Sequence, residues 1–347
     1  MFKIKKTALN DFIEFLKEDF RVFAPVEEGN RSTFKQIESA LEIDHSLCNT
    51  STSPKDIYFP QAEILFQYNK EGIKVPEITE KPVAIWGLRN CDTKSFQMLD
   101  KVFGNAYQMP DKDMYKDPYW IQKYRDSIIF NQACNEPLST CFCNWFEGGP
   151  FHKDGADVFV VDGGEFFFLD VTSEKGKNLL DKYKKAVPAE DKDMAVIDVI
   201  QKEAESCLAE KIDISGVRDK LNEIWDDPIW DEISNKCINC AACTFACSTC
   251  HCFDVSDEGK HGKGERIRLW DSCMFQLFTR EASGHNPRGQ STQRVRQRIM
   301  HKYSYFMDNY QEYLCTGCGR CVQVCPVNLD IREVIKDVIN YQGSADV

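Results

Sequence analysis

Between Lys6 and Glu18 the apolar residues Leu9, Phe12, Ile13 and Leu16 fall on one face of a helix. Otherwise residues 1 to about 80 are poorly periodic. The pattern sharpens at Pro82, where Val83-Ala84-Ile85-Trp86 predicts a buried strand, Gly87 to Asn90 a turn, and Thr93 to Val102 a helix. A second strand is predicted at Ser127 to Phe130, and Asp157 to Val171 reads as a hairpin turned at Gly163-Gly164. Ser173 is placed to cap a helix through Lys185, and charged helices follow from Asp191 to Lys211 and from Ser215 to Trp225. Near the other end, Ile331, Val334, Ile335, Val338 and Ile339 mark one face of an amphipathic helix over Asp330 to Tyr341.

Chemistry enters with the cysteines. Eight of the 17 form two copies of the run C-x2-C-x2-C-x3-C: Cys237, Cys240, Cys243, Cys247, and then Cys315, Cys318, Cys321, Cys325 followed by Pro326. In the bacterial ferredoxin run, three thiolates hold one [4Fe-4S] cube and the fourth ligates the other cluster, from a short helix expected to start there. The spacing therefore predicts two [4Fe-4S] clusters with crossed ligation. Cys237, Cys240, Cys243 and Cys325 would hold the first, and Cys315, Cys318, Cys321 and Cys247 the second. Four-thiolate zinc sites use similar pairs, but four sulfurs suffice for zinc, which leaves two triplets with trailing cysteines unexplained.

These runs set the domain plan, an α+β chain. A mixed α/β N-terminal domain over residues 1–228 is followed by an α-helical, ferredoxin-type dicluster domain over 229–347, with a basic insert at 248–314. The boundary is expected between Asp226 and Asp231, where Pro228 interrupts a Trp-rich stretch, with Trp225 and Trp230 assigned to packing between domains. A length of 347 residues with 42% hydrophobic content can fill two cores. The chain shows no apolar run of membrane-spanning length and no signal-peptide core near Met1, so a cytoplasmic location is expected. Cysteines in such a reducing compartment suit metal ligation rather than disulfides, and an anaerobic host is expected. A formal charge of -12 argues against nucleic acid and anionic membranes as partners.

Four further cysteines stand where strand-end loops would meet: Cys91, Cys134, Cys141 and Cys143. They define a candidate third metal site, suited to an iron-sulfur cluster or zinc, with buried apolar thiols as the alternative. Cys250, Cys252 and Cys273 are assigned to packing around the clusters, Cys48 and Cys207 read as isolated, and His285 and His301 as structural histidines. Between Lys260 and Lys302 ten basic residues face three acidic ones, an island expected to raise cluster potentials or dock an acidic partner. Neither G-x-G-x-x-G after a strand, nor a P-loop, nor G-x-S-x-G is present, although a flavin site need leave no short motif.

The order Gly87-Leu88-Arg89-Asn90-Cys91-Asp92, Cys134, Cys141-Phe142-Cys143, then two ferredoxin runs enclosing Cys250-His251-Cys252, Leu269-Trp270-Asp271-Ser272-Cys273 and Gly284-His285-Asn286-Pro287-Arg288, resembles the iron-sulfur subunit of anaerobic sulfite reductase. The beta subunits of cytoplasmic sulfhydrogenases share the plan. Ser248 departs from the proline such proteins usually carry after the first run. The resemblance implies an electron-transfer subunit rather than the catalytic one. It would pass electrons from a flavin/NAD(P)H-binding subunit to a catalytic metalloenzyme subunit, with sulfite reduction as the leading reaction. The same role in a nickel-iron hydrogenase or an electron-bifurcating transhydrogenase is the alternative, and a structural zinc scaffold is the alternative of another class.

Overall fold

The computed structural model describes residues 1–77, 80–104 and 116–343. Its strands, in chain order, are β1 (Phe2–Lys5), β2 (Arg21–Glu28), β3 (Arg31–Gln36), β4 (Ala62–Asn69), β5 (Gly72–Lys74), β6 (Val83–Leu88), β7 (Ile128–Gln132), β8 (Val158–Asp162), β9 (Phe166–Val171), β10 (Val187–Pro188), β11 (Phe253–Lys260) and β12 (Lys263–Trp270). They form two sheets, in two compact units that interleave along the chain. One unit comprises Met1–Pro54, Glu80–Ile212 and Thr316–Gly319, and the other Lys55–Thr79, Asp213–Cys315 and Arg320–Val347. The division thus falls at different points from the break expected near Pro228.

The first unit is built on an eight-stranded mixed sheet in the order β10-β1-β9-β8-β7-β6-β2-β3. Strands β2, β6, β7 and β8 run parallel, as fully apolar strands such as Val83–Leu88 do when buried on both faces. The helix Leu9–Asp19 lays Phe12, Ile13 and Leu16 against Trp86, Phe130 and Phe167 on one face, joined by the Ser173-capped helix Glu174–Lys182. The opposite face carries Phe159, Val161 and Phe168 against the helix Asp191–Ser206. Residues that alternate along one strand thereby feed both cores. The hairpin β8–β9 forms as expected, and the N-terminal stretch that shows no periodicity supplies β1 to β5.

The second unit combines helices with a four-stranded antiparallel sheet, β11-β12-β4-β5, for which the sequence pattern predicts no element. The buried pair Arg268–Glu63 ties β12 to β4. Helix Ile229–Asn235 packs on Ser291–Met300, which widens into a π turn over His301–Tyr305 before continuing as Phe306–Tyr310. The amphipathic helix Ile331–Asn340 packs on Val217–Glu223. Trp225 and Trp230 both make contacts within this unit. The indole N–H of Trp230 donates to Ile224 O at 2.8 Å, and Trp225 lies 4.2 Å from the Arg296 guanidinium. Among the described residues no helix is long and apolar enough to cross a membrane.

Candidate metal centre

Both cysteine runs fold as the same loop. Asn239 (φ 57°) and Ala241 (φ 63°) in the first, and Gly317 (φ 65°) and Gly319 (φ 76°) in the second, take the left-handed conformation at matching positions. Left-handed residues within a tight loop turn successive N–H groups toward its concave side, where they favour an anion. The N–H of Asn239 donates to Cys237 Sγ at 3.4 Å, and that of Leu329 to Cys325 Sγ at 3.2 Å. Short helices at Ala242–Phe245 and Arg320–Gln323 follow the loops. Each carries the third cysteine of its run, so the fourth follows a helix instead of starting one; the left-handed turn at Ala241 and Gly319 launches the helix ahead of the third cysteine.

In the second unit Cys237, Cys240, Cys243 and Cys325 line one hollow, walled by Met274, Val295, Leu329 and Arg298. Three cysteines of the first run thus meet the last of the second. Cys247 points elsewhere, to the ammonium of Lys302 at 3.3 Å. Cys250 donating to its sulfur, with Lys302 beside it, holds the Cys247 thiol well below the usual range. Cys315 acts on Lys302 and Tyr303, and Cys321 on Arg298 and Tyr303. Cys318, three residues from each in sequence, belongs to the segment Thr316–Gly319 of the first unit.

The basic island is only in part a solvated face. Arg268, Arg294, Arg298 and Lys302 are buried, and the last three recur every fourth residue along one face of a single helix. Burial works against the charge of Lys302, but the sulfurs around it, that of Cys247 first among them, outweigh it and raise its pKa. Burial likewise opposes the Arg298 charge, and Cys243, Cys321 and Cys250 prevail. The Nε of Arg298 has no hydrogen-bond partner among the described residues. A buried donor on a cation beside four thiols fits an anionic group held by those thiols, because unpaired buried charge is costly.

In the first unit, parallel β6 and β7 deliver Cys91 and Cys134 to the same sheet edge. Cys91 sits in the first turn of the helix Asn90–Phe103, not in a turn before it. These two, with Cys141 and Cys143, line one cavity together with Cys48 and Cys318. Cys48 is therefore not an isolated thiol. Its loop folds back along β3, where Ser32 and Ser51 exchange hydrogen bonds of 3.0 and 2.8 Å, and Arg89 donates to Leu47 O. Thiols of Cys134 and Cys141 donating to it lower the Cys48 pKa to about 3, with Arg89 adding to the effect.

The remaining cysteines and histidines are not drawn into these hollows. Cys252 and Cys273 hydrogen-bond each other at the base of the β11–β12 hairpin, while Cys207 is exposed. Burial holds His251 at about 4 and His301 at about 3, so both are neutral at pH 7. His251 Nδ1 donates to Thr249 O at 2.9 Å and its ring meets that of His301. Among the described residues no three His, Cys, Asp or Glu side chains converge on a point as one metal ion requires.

Residues 236–329 match the 4Fe-4S dicluster domain family. Over 338 residues the chain is 26% identical to sulfhydrogenase 2 subunit beta of Pyrococcus furiosus, spanning 97% of this chain and 97% of that one. The chain is a homologue of that sulfhydrogenase subunit. No solved structure matches it. The sulfhydrogenase homology runs through both units, and the matched domain contains all eight cysteines of the two ferredoxin runs. The homologue described here is accordingly an iron-sulfur electron-transfer subunit of mixed α/β fold.

Proposed function

We propose that the chain carries electrons inside a cytoplasmic multi-subunit oxidoreductase of hydrogenase type, from a flavin/NAD(P)H-binding subunit to a subunit holding the catalytic metal centre. The observation that carries this reading is the near full-length similarity to a sulfhydrogenase beta subunit. Cys237, Cys240, Cys243 and Cys325 hold one [4Fe-4S] cluster and Cys315, Cys318, Cys321 and Cys247 the other. Such clusters supply reversible one-electron storage. The protein's own residues do the rest. Loop amides donate toward thiolate sulfur, Met274, Val295 and Leu329 keep water from the first hollow, and Arg298 and Lys302 balance buried negative charge.

Sulfite reduction is the second reading, favoured by the cysteine and Leu269–Cys273 pattern shared with the iron-sulfur subunit of sulfite reductase. The complex isolated without oxygen from its native host separates the readings. Hydrogen evolution driven by NAD(P)H, with a flavoprotein and a nickel protein among the partners, is the expected result. Sulfite reduction without hydrogen evolution would install the second reading. A colourless chain carrying zinc and no acid-labile sulfide would overturn both in favour of a structural scaffold.

A further inference from the structure

We infer that the first unit holds an iron-sulfur cluster of its own, on the thiolates of Cys48, Cys91, Cys134 and Cys141. Resting on the iron-sulfur reading of the chain, it adds a site in the other unit. Four separate stretches of chain supply the thiols: the loop after β3, the first turn after β6, the end of β7, and the loop beyond it. Such convergence is unexpected for cysteines that merely fill space, since each could be buried anywhere.

The grouping within the cavity selects the four. Cys48 lies within hydrogen-bond reach of both Cys134 and Cys141, and Cys91 acts on the same two. Cys143, which the sequence places in the site, also lines the cavity, where Cys48 and Cys318 act on it. Cys48 thus takes its place. Cys318 belongs to the second ferredoxin run.

Two independent observations say that an anionic group belongs here. Arg89 is 7% exposed and lines the cavity, yet among the described residues its guanidinium finds only carbonyl oxygens, those of Gln132 at 3.3 Å, Ala133 at 2.6 Å, and Leu47. A buried cation without a carboxylate needs negative charge close by, and thiolates are the groups on hand. Asn90, 4% exposed and also in the wall, leaves its Nδ2 donor without a partner among the described residues. Sulfur of a cluster would accept from it. Zinc, the alternative for four thiolates, brings no sulfide of its own to accept from Asn90.

Iron and acid-labile sulfide per chain, measured on the complex isolated without oxygen, decide the matter. At roughly four irons per cluster, about twelve are expected, and Cys48→Ser should lose about a third of them while Cys143→Ser loses none. Electron paramagnetic resonance of the reduced protein should show the lost component in Cys48→Ser with the other two signals intact. About eight irons in the unaltered protein would overturn the proposal and leave the two ferredoxin-run clusters standing. Loss of the third component from Cys143→Ser, with Cys48→Ser unchanged, would overturn the ligand set. Should Cys48→Ser fail to fold, the iron count and the number of resonance signals of the unaltered complex still decide for or against the site.

Discussion

At the scale of single residues, the helix carrying Arg294, Arg298 and Lys302 has the most to say. Three cations spaced by four on one face are legible in the sequence, since residues four apart share a helix face. What the sequence conceals is that the face is buried, because a stripe of charge normally marks the solvent side. Charge reversal at Arg294 and Arg298 is therefore expected to unfold the second unit rather than to weaken docking in a salt-dependent way. Lys302→Met is the informative change. Removing a buried cation beside Cys247 should lower the potential of the cluster there, on the order of 50–100 mV for about 1–2 kcal/mol of lost attraction. Lys302→Arg should retain most of the potential. Redox titration monitored by electron paramagnetic resonance checks both, and a shift that disappears at high salt would return the lysine to the surface. Cys325→Ser tests the crossed ligation in the same experiment: the signal lost should be the one that Cys237→Ser also removes.

At the scale of elements, the two ferredoxin loops reach one conformation with different residues. Gly317 and Gly319 are required by more than their positive φ. A Cβ on Gly317 would overlap Phe142 O, and one on Gly319 would stand 2.5 Å from Thr140 O. Gly319→Ala should therefore cost at least about 1–3 kcal/mol and diminish cluster content, whereas Ala241→Gly, at a left-handed position, should be neutral or slightly stabilising. Thermal unfolding with iron analysis compares the pair; equal losses would refute the steric argument. The same scale explains what could be read in advance. Val83–Leu88 and Ile128–Gln132 announce themselves by their apolar runs, and parallel pairing carries Cys91 and Cys134 together. Cys48 gives no such signal, because its approach depends on a loop folding back through Ser51 and Arg89, contacts without periodicity. The sheet of the second unit is equally hidden. The strand Phe253–Lys260 is almost wholly exposed and half of its residues are charged, and β12 pairs with a β4 that lies some two hundred residues earlier.

At the scale of the whole molecule, the units are continuous in space but not in sequence. The second unit takes β4 and β5 from residues 55–79, and the first takes Thr316–Gly319 from within the second ferredoxin run. A fragment of residues 229–347, the dicluster domain as the cysteine pattern alone would draw it, lacks β4, the Glu63 partner of Arg268, and the helix Val217–Glu223. It is expected to be poorly folded and to bind markedly less iron than the full chain; circular dichroism and iron analysis would show it, and a stable fragment with a full complement of iron would refute the interdependence.

That short borrowed segment also sets an order of events during synthesis. Because Gly317 and Gly319 close against Thr140, Phe142 and Cys143, the first unit stays unfinished until residues 213–315 of the second have left the ribosome. Whatever delivers iron to this chain must therefore meet a protein whose two halves mature together, and a stall anywhere between the two ferredoxin runs would leave both without their final form.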